Sequence, residues 1–214
     1  MKRNIFGLFA SAGYIILILM SAKFFENEEK ESSRKYIHIM LSNWWIIAMI
    51  FFDSPIFACI GPAIFVVLNY VSYKYNLIKT MEREEKDGLG TVYYALTLLI
   101  LSYLTFGPLN NTLIGLCGVI IMGYADGMAA VMGKSIQSYR YTIFGTTKSL
   151  AGSLTMLIIT FIIISGFLVY TNIAYWFIKA IVISLILTVL EAVSVKGTDN
   201  LTVPLTAVAL LFLV

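Results

Sequence analysis

Apolar residues fall into eight blocks along the chain, near 5–25, 37–53, 55–75, 91–107, 109–132, 150–169, 173–192 and 200–214. A membrane-spanning helix needs about 20 apolar residues, so the pattern predicts an all-α polytopic membrane protein, a bundle of seven or eight transmembrane helices. The second and fourth blocks are short and predict helices that tilt or sit deep in the bundle; the last is shorter still. Phe52-Asp-Ser-Pro55, Gly107-Pro-Leu-Asn-Asn111 and Tyr170-Thr-Asn172 predict tight turns between blocks. Met1-Lys2-Arg3 before the first block has the look of a signal peptide, but the apolar run behind it is long enough to span and is read as a retained helix. There is no repeat, no low-complexity tract and no polar region long enough to fold by itself. The expectation is one integral-membrane domain over residues 1–214.

Composition strengthens this reading. The 214 residues are 59% hydrophobic and 13% charged, against roughly 25% charged in a soluble domain, and mean hydropathy is +0.87. The net charge of +3 gives no footprint for nucleic acid. Instead the basic residues gather beside the blocks. Twelve of the fifteen lie in the odd-numbered connections: Lys23, Lys30, Arg34, Lys35; Lys74, Lys79, Arg83, Lys86; Lys134, Arg140, Lys148; and Lys196. The positive-inside rule then puts those connections in the cytoplasm. Lys2 and Arg3 oppose this weakly, and Lys179 can snorkel to the other side. Cys59 and Cys117 lie in apolar stretches and read as inert thiols.

The polar exceptions inside this pattern point to chemistry. Asp126 interrupts an apolar run, where a carboxylate costs a few kcal/mol or more and marks a functional site by default. The stretch reads Gly123-Tyr-Ala-Asp126-Gly127, continues through small residues to Gly133-Lys134, and after a polar loop resumes as Gly145-Thr-Thr147-Lys148-Ser149-Leu-Ala-Gly152-Ser153. Small residues let a ligand approach the backbone, and lysines act as point charges for phosphate. An acid for a metal and lysines for phosphates together suggest a nucleotide. Glu191 and Asp199 flank a Gly197-Thr198 pair whose turn brings two helix ends together, and with Asp126 they offer three carboxylates to Mg²⁺. For Glu191 alone, a charge snorkelling at a helix end is the simpler reading. Arg34 and His38 fall one turn apart on one helix face if the helix already begins there. Lys35 also fits simple positive-inside charge, and His38 also fits an isolated interfacial histidine. The acidic segments around Glu26–Glu31 and Glu82–Asp87 read as solvated faces, and Asp53 as a turn residue. No Gly-xxx-Gly packing motif stands out on a clean face, and dimerisation stays open.

Partial motifs are set aside. Gly127 to Ser135 misses the P-loop spacing by one residue and follows no strand. Asp126-Gly127-x-x-Ala130 begins like the CDP-alcohol phosphotransferase signature, but Val131 replaces its arginine and the later aspartates are missing. A transporter or anion-binding protein is a different class, yet the charges gather at one face rather than along a path.

Together, Arg34-Lys35-Tyr-Ile-His38, Gly90-Thr-Val-Tyr-Tyr94, Asp126-Gly127 to Gly133-Lys134, Gly145 to Ser153, and Glu191 with Asp199-Asn200-Leu-Thr-Val-Pro204-Leu resemble the CTP-dependent lipid-alcohol kinase family. That family includes phytol kinase, dolichol (polyprenol) kinase and the CTP-using diacylglycerol kinase. The resemblance runs from Arg34 almost to the C-terminus. It implies transfer of the γ-phosphate of CTP to a membrane lipid alcohol, at a site facing the cytoplasm. In it Asp126, Lys148, Arg34, Lys35 and His38 serve catalysis, and Asp126, Glu191 and Asp199 hold Mg²⁺. Gly127, Gly133, Lys134, Thr147, Ser149, Gly152 and Asn200 serve the nucleotide. Two departures stand: Asp126-Gly127 where members often show Gly-Asp, and no acidic residue before Gly152. The related phosphatidate cytidylyltransferases carry a longer C-terminal signature, of which only Gly197-Thr-Asp199-Asn200 is present here.

Overall fold

A computed structural model of the chain describes residues 1–22, 30–75 and 89–214, with side chains for all of these except residues 30–33. Residues 26–29 and 82–88 of the acidic segments, with Lys23, Lys79, Arg83 and Lys86, lie outside the described residues. The helices are α1 (Lys2–Ala22), α2 (Lys30–Ser42), α3 (Trp44–Phe51), α4 (Pro55–Tyr75), α5 (Gly90–Phe106), α6 (Thr112–Ile120), α7 (Gly127–Ser135), α8 (Leu150–Tyr170), α9 (Trp176–Val193) and α10 (Asp199–Leu213). A π-helical segment (Ile121–Asp126) joins α6 to α7 without a break, and α2 and α3 form one pass interrupted at Asn43. Among the described residues this makes eight helical segments, in the order of the eight apolar blocks. The protein is a polytopic all-α membrane protein. Five helices are long and apolar enough to cross a bilayer alone: α1, α4, the continuous Thr112–Ser135, α8 and α9, while α5 and α10 are shorter.

The helix carrying Asp126 is central. In Thr112–Ser135, 67% of the apolar window is buried inside protein, against 22–33% in the other four long helices. Its neighbours are α2, α8 and α10, and α5 packs on α6 and α10. The core between them is filled by Trp45, Leu101, Ile114, Ile121, Met156, Ile164 and Leu187, all essentially unexposed. The Trp45 indole N–H donates to Thr112 O at 3.0 Å, which satisfies its one polar atom. The break at Asn43 is also satisfied: its carboxamide pairs with the Tyr124 hydroxyl at 3.0–3.1 Å. In hydrocarbon an unpaired carboxamide would cost several kcal/mol.

The expected polar loop between α7 and α8 is a β-hairpin. β1 (Arg140–Ile143) and β2 (Thr146–Ser149) pair antiparallel, with Tyr141 opposite Lys148. The local reason is legible afterwards: β-branched Thr142, Ile143, Thr146 and Thr147 flank a two-residue turn. Phe144 (φ 47°) and Gly145 (φ 78°) both take positive φ, as the favoured hairpin turns require. At the opposite end of the bundle, Asn4 and Asp53 exchange two hydrogen bonds, side chain to side chain at 2.6 Å and Asp53 N–H to Asn4 at 3.1 Å. They staple α1 to the α3–α4 turn, and Arg3 lies 3.9 Å from the Asp53 carboxylate. Asp53 is the turn residue expected.

Candidate active site

The helix ends opposite that staple surround a cavity of about 450 Å³. Asp126, Glu191 and Asp199 come from the π segment, the end of α9 and the start of α10. One carboxylate oxygen from each lies within 4.8 Å of the others. The α9–α10 turn sets two of them: Lys196 and Gly197 take positive φ, and Thr198 N–H closes on Val195 O at 3.0 Å. Gly197 is required there, because an added Cβ would lie 2.6 Å from Gly90 Cα at the start of α5. Two carboxylates this close repel by roughly 3–4 kcal/mol at an effective dielectric of about 20. Two lysines offset that repulsion. Lys35 Nζ donates to Asp126 Oδ2 at 3.1 Å. Lys148 Nζ forms an ion pair with Glu191 Oε1 and lies 3.5 Å from Asp199 Oδ2. Glu191 is therefore more than a snorkelling charge: its side chain is 5% exposed and paired.

Lys148 sits on β2, outside the spanning helices. Burial alone would lower its pKa, but Glu191 and then Asp199 outweigh burial and hold it above the ordinary lysine value. It therefore stays charged through the neutral range.

His38 occupies the same corner. The chain is already helical at Lys30, so Arg34 and His38 do share a face, and both line the cavity. His38 Nε2 lies 3.0 Å from Met122 O and 3.5 Å from Asp126 Oδ2. A carbonyl can only accept, so Nε2 carries the proton and Nδ1 is the acceptor of the ring. The bonded carbonyl belongs to the π segment, a geometry that recurs at functional sites. Tyr94 holds the histidine further, with its hydroxyl donating to His38 O at 3.0 Å and its ring edge-on at 4.5 Å.

Gly133, Lys134, Thr147, Ser149, Gly152 and Asn200 all line the cavity. Several also serve the fold. A Cβ on Gly152 would lie 2.9 Å from Ala129 O, so Gly133 and Gly152 let α7 and α8 cross closely. The Ser149 hydroxyl accepts from Gly152 N–H at 3.1 Å and caps α8, whose N-terminus then faces the cavity and favours an anion. Thr147 pairs with Thr142 across the hairpin at 3.1 Å. The Asn200 side-chain amide donates to Gly90 O at 3.2 Å, and its backbone carbonyl accepts from the Thr97 hydroxyl at 2.6 Å.

Gly127 is the exception. It does not line the cavity, and a Cβ there would lie 2.5 Å from Ile39 Cγ1. With Gly123, whose missing side chain accommodates Ser42, it forms a Gly-xxx-Gly face that docks α2. The motif absent from the sequence reading is therefore present, and it joins two helices of one chain. Gly127→Ala overpacks this contact at a cost of about 1–3 kcal/mol. The expected result is a Tm lower by roughly 2–10 °C in detergent, read by differential scanning fluorimetry.

Sequence reasoning missed several residues of the wall: Asn69 and Tyr73 on α4, Thr91, and the basic Arg140 and Lys196. Asn69 carried a usable signal, as a carboxamide inside an apolar block. In all, six basic side chains and three carboxylates line the cavity among the described residues. That excess of positive charge suits a polyphosphate, while the clustered oxygens suit a hard divalent cation.

Fold and site thus define a polytopic membrane protein with a carboxylate–lysine cavity at one end of its bundle. The chain is 30% identical over 208 residues to the phytol kinase of Synechocystis sp., covering 91% of this chain and 85% of that protein. It is 31% identical to a probable chloroplastic phytol kinase of Glycine max, covering 84% and 66% of the two chains. Similarity to the dolichol kinase of Mus musculus is 25% over 95% of this chain and 43% of that longer protein. No family model and no solved structure matches the chain. The chain belongs to the phytol kinase and dolichol kinase family of CTP-dependent lipid-alcohol kinases.

Proposed function

We propose that this protein transfers the γ-phosphate of CTP to the hydroxyl of a membrane isoprenoid alcohol, as one domain of eight passes whose cavity opens to the cytoplasm. The observation that carries this reading is the juxtaposition of three carboxylates with Lys35 and Lys148 in one cavity. Family membership supplies CTP as donor, and the names of the relatives, phytol and dolichol kinases, point to single-chain isoprenoids.

The donor set fits a magnesium ion, since three carboxylate oxygens within 4.8 Å match its preference for oxygen ligands. Asp126, Glu191 and Asp199 would hold it, and when bound it neutralises charge on the triphosphate. The residues of the chain do the rest. Lys134, Arg34 and Arg140 draw the phosphates into the cavity, and Lys148 with the capped N-terminus of α8 faces the oxygens that gain charge. The alcohol oxygen bonds to the γ-phosphorus, the bond from that phosphorus to the bridging oxygen breaks, and CDP leaves. The hydroxyl proton passes to His38 Nδ1, the ring nitrogen not engaged by Met122. Phosphoryl transfer depends mostly on positioning and charge, so this set is sufficient.

The test uses purified protein in detergent with phytol, geranylgeraniol, a longer polyprenol, diacylglycerol and phosphatidate, and CTP labelled at the α- or the γ-phosphate. Label from the γ position in an isoprenoid monophosphate is expected. Label from the α position, or no label in any lipid, overturns the proposal.

A further inference from the structure

The cavity is not polar throughout. Two helices of its wall change character in the same direction. On α2 the lining residues run Arg34 and Lys35, then Ile37 and His38, and end on Leu41; on α4 they run Tyr73, Asn69, Phe65. The two helices are traversed in opposite senses, so both sequences lead away from the charged end and into the bundle. On α4 the three residues are four apart and share one face, placing Asn69 about 6 Å and Phe65 about 12 Å from Tyr73. Asn69 Nδ2 donates to Thr91 O at 3.0 Å, which sets it level with the start of α5 and therefore with the Gly90–Gly197 contact beside Asp199. Phe65 lies one turn deeper.

The partners of α4 also matter. It packs along α5 and lightly against α1, with no extensive contact to α2 among the described residues. Yet α2 and α4 both line the cavity. Between them, then, the cavity is bounded by side chains of two helices that do not pack closely on one another, with α1 touching both. Elsewhere the central helix is enclosed by α2, α8 and α10 at close range.

We propose that the acceptor alcohol reaches the site sideways from the bilayer, its single isoprenoid chain lying between α2 and α4 on Ile37, Leu41 and Phe65, with its hydroxyl stopping at the level of Asn69 and His38. This deepens the kinase reading and rests on it. It assigns Phe65 and Leu41 as specificity residues, which contact the chain and take no part in the chemistry. CTP, carrying its charge, uses the polar end lined by Lys134, Arg140 and Thr146. The two substrates thus meet from two phases, each without crossing the other's solvent.

The experiment compares Phe65→Trp and Leu41→Trp with the native enzyme on geranylgeraniol and on the five-carbon 3-methylbut-2-en-1-ol. An overfilled apolar channel discriminates by roughly tenfold or more. The expected result is a KM for geranylgeraniol raised about tenfold, a KM for CTP within about twofold of native, and five-carbon turnover unaltered. An unchanged KM for geranylgeraniol in both variants, or equal losses on both alcohols, overturns the path. Photolabelling with a geranylgeraniol bearing a diazirine in its tail gives a readout that needs no turnover. Label mapped to residues 37–41 and 65–73 supports the path, and label confined to other helices overturns it. If the native enzyme phosphorylates no alcohol, the kinase reading fails, while the labelling still decides where the chain lies.

Discussion

Asp126→Asn is expected to lower kcat at least about a thousandfold while the protein still inserts and folds. Asparagine has the size of aspartate and keeps an oxygen for Lys35, so packing is preserved. What disappears is one of three negative charges that the site presents to a cation and, through it, to the triphosphate. Loss of a single preorganised electrostatic group at such a centre costs roughly 10²–10³ in kcat, and loss of a metal-holding charge costs at least as much. Stability is expected to hold for a separate reason. Asp126 shares its space with Glu191 and Asp199, so removing its charge relieves repulsion as it weakens the Lys35 pair at 3.1 Å. The measurement is γ-label transfer beside Tm and membrane yield. Near-native turnover would remove Asp126 from the chemistry.

Lys148→Ala carries the second large effect, with a different signature. Lys148 is the cation that touches both Glu191 and Asp199. Without it these two carboxylates face each other with the full repulsion estimated above, roughly 3–4 kcal/mol. The expected outcome is a kcat lower by about 10²–10³ and a drop in Tm larger than that of Asp126→Asn. Added magnesium should restore the Tm, since a divalent cation replaces the missing charge, and leave kcat low, since the phosphate oxygens still lack the ammonium. Lys148→Arg should recover only part of the rate, because a planar fork does not replace a compact point charge. The pKa of Lys148 is raised in the folded protein. Its stabilising charge is therefore fully present below the ordinary lysine value and is lost only as pH climbs through the higher folded value. At neutral pH the native protein and Lys148→Ala must differ by the whole contribution. Equal Tm values at pH 7 would mean the pairing is worth nothing.

Gly127 shows the limit of reading a motif. In sequence it stands beside Asp126 among small residues, which invites a ligand-approach role, but its absent side chain is filled by Ile39 of α2. The same residues are small in either case, and only the neighbouring helix tells which surface they face. Glu191 is the converse. A lone carboxylate at a helix end is usually interfacial, and nothing local marks it as buried against Lys148, which lies 43 residues earlier.

The eight apolar blocks by themselves anticipated the helical segments and their order, because each helix must hide its own backbone groups from hydrocarbon, but not every end: α2 is already helical at Lys30, ahead of the block at 37–53, and the central helix covers 112–135 rather than 109–132. Intramembrane Asp126 and the two lysine-bearing segments also stood out as candidates, because charge in an apolar run is too costly to keep without use, and the structure brings Asp126, Lys134 and Lys148 to the wall of one cavity. Only the tertiary structure decided three things: that the three carboxylates share one cavity, that the α7–α8 connection is a hairpin carrying Lys148 into it, and that the cavity turns apolar between α2 and α4. The first and third are matters of packing between residues far apart in the chain; the second is a local pairing of Arg140–Ile143 with Thr146–Ser149, but where it carries Lys148 depends on the helices around it. Periodicity reports which face of a helix avoids water and hydrocarbon, and it does not report which other helix that face will meet.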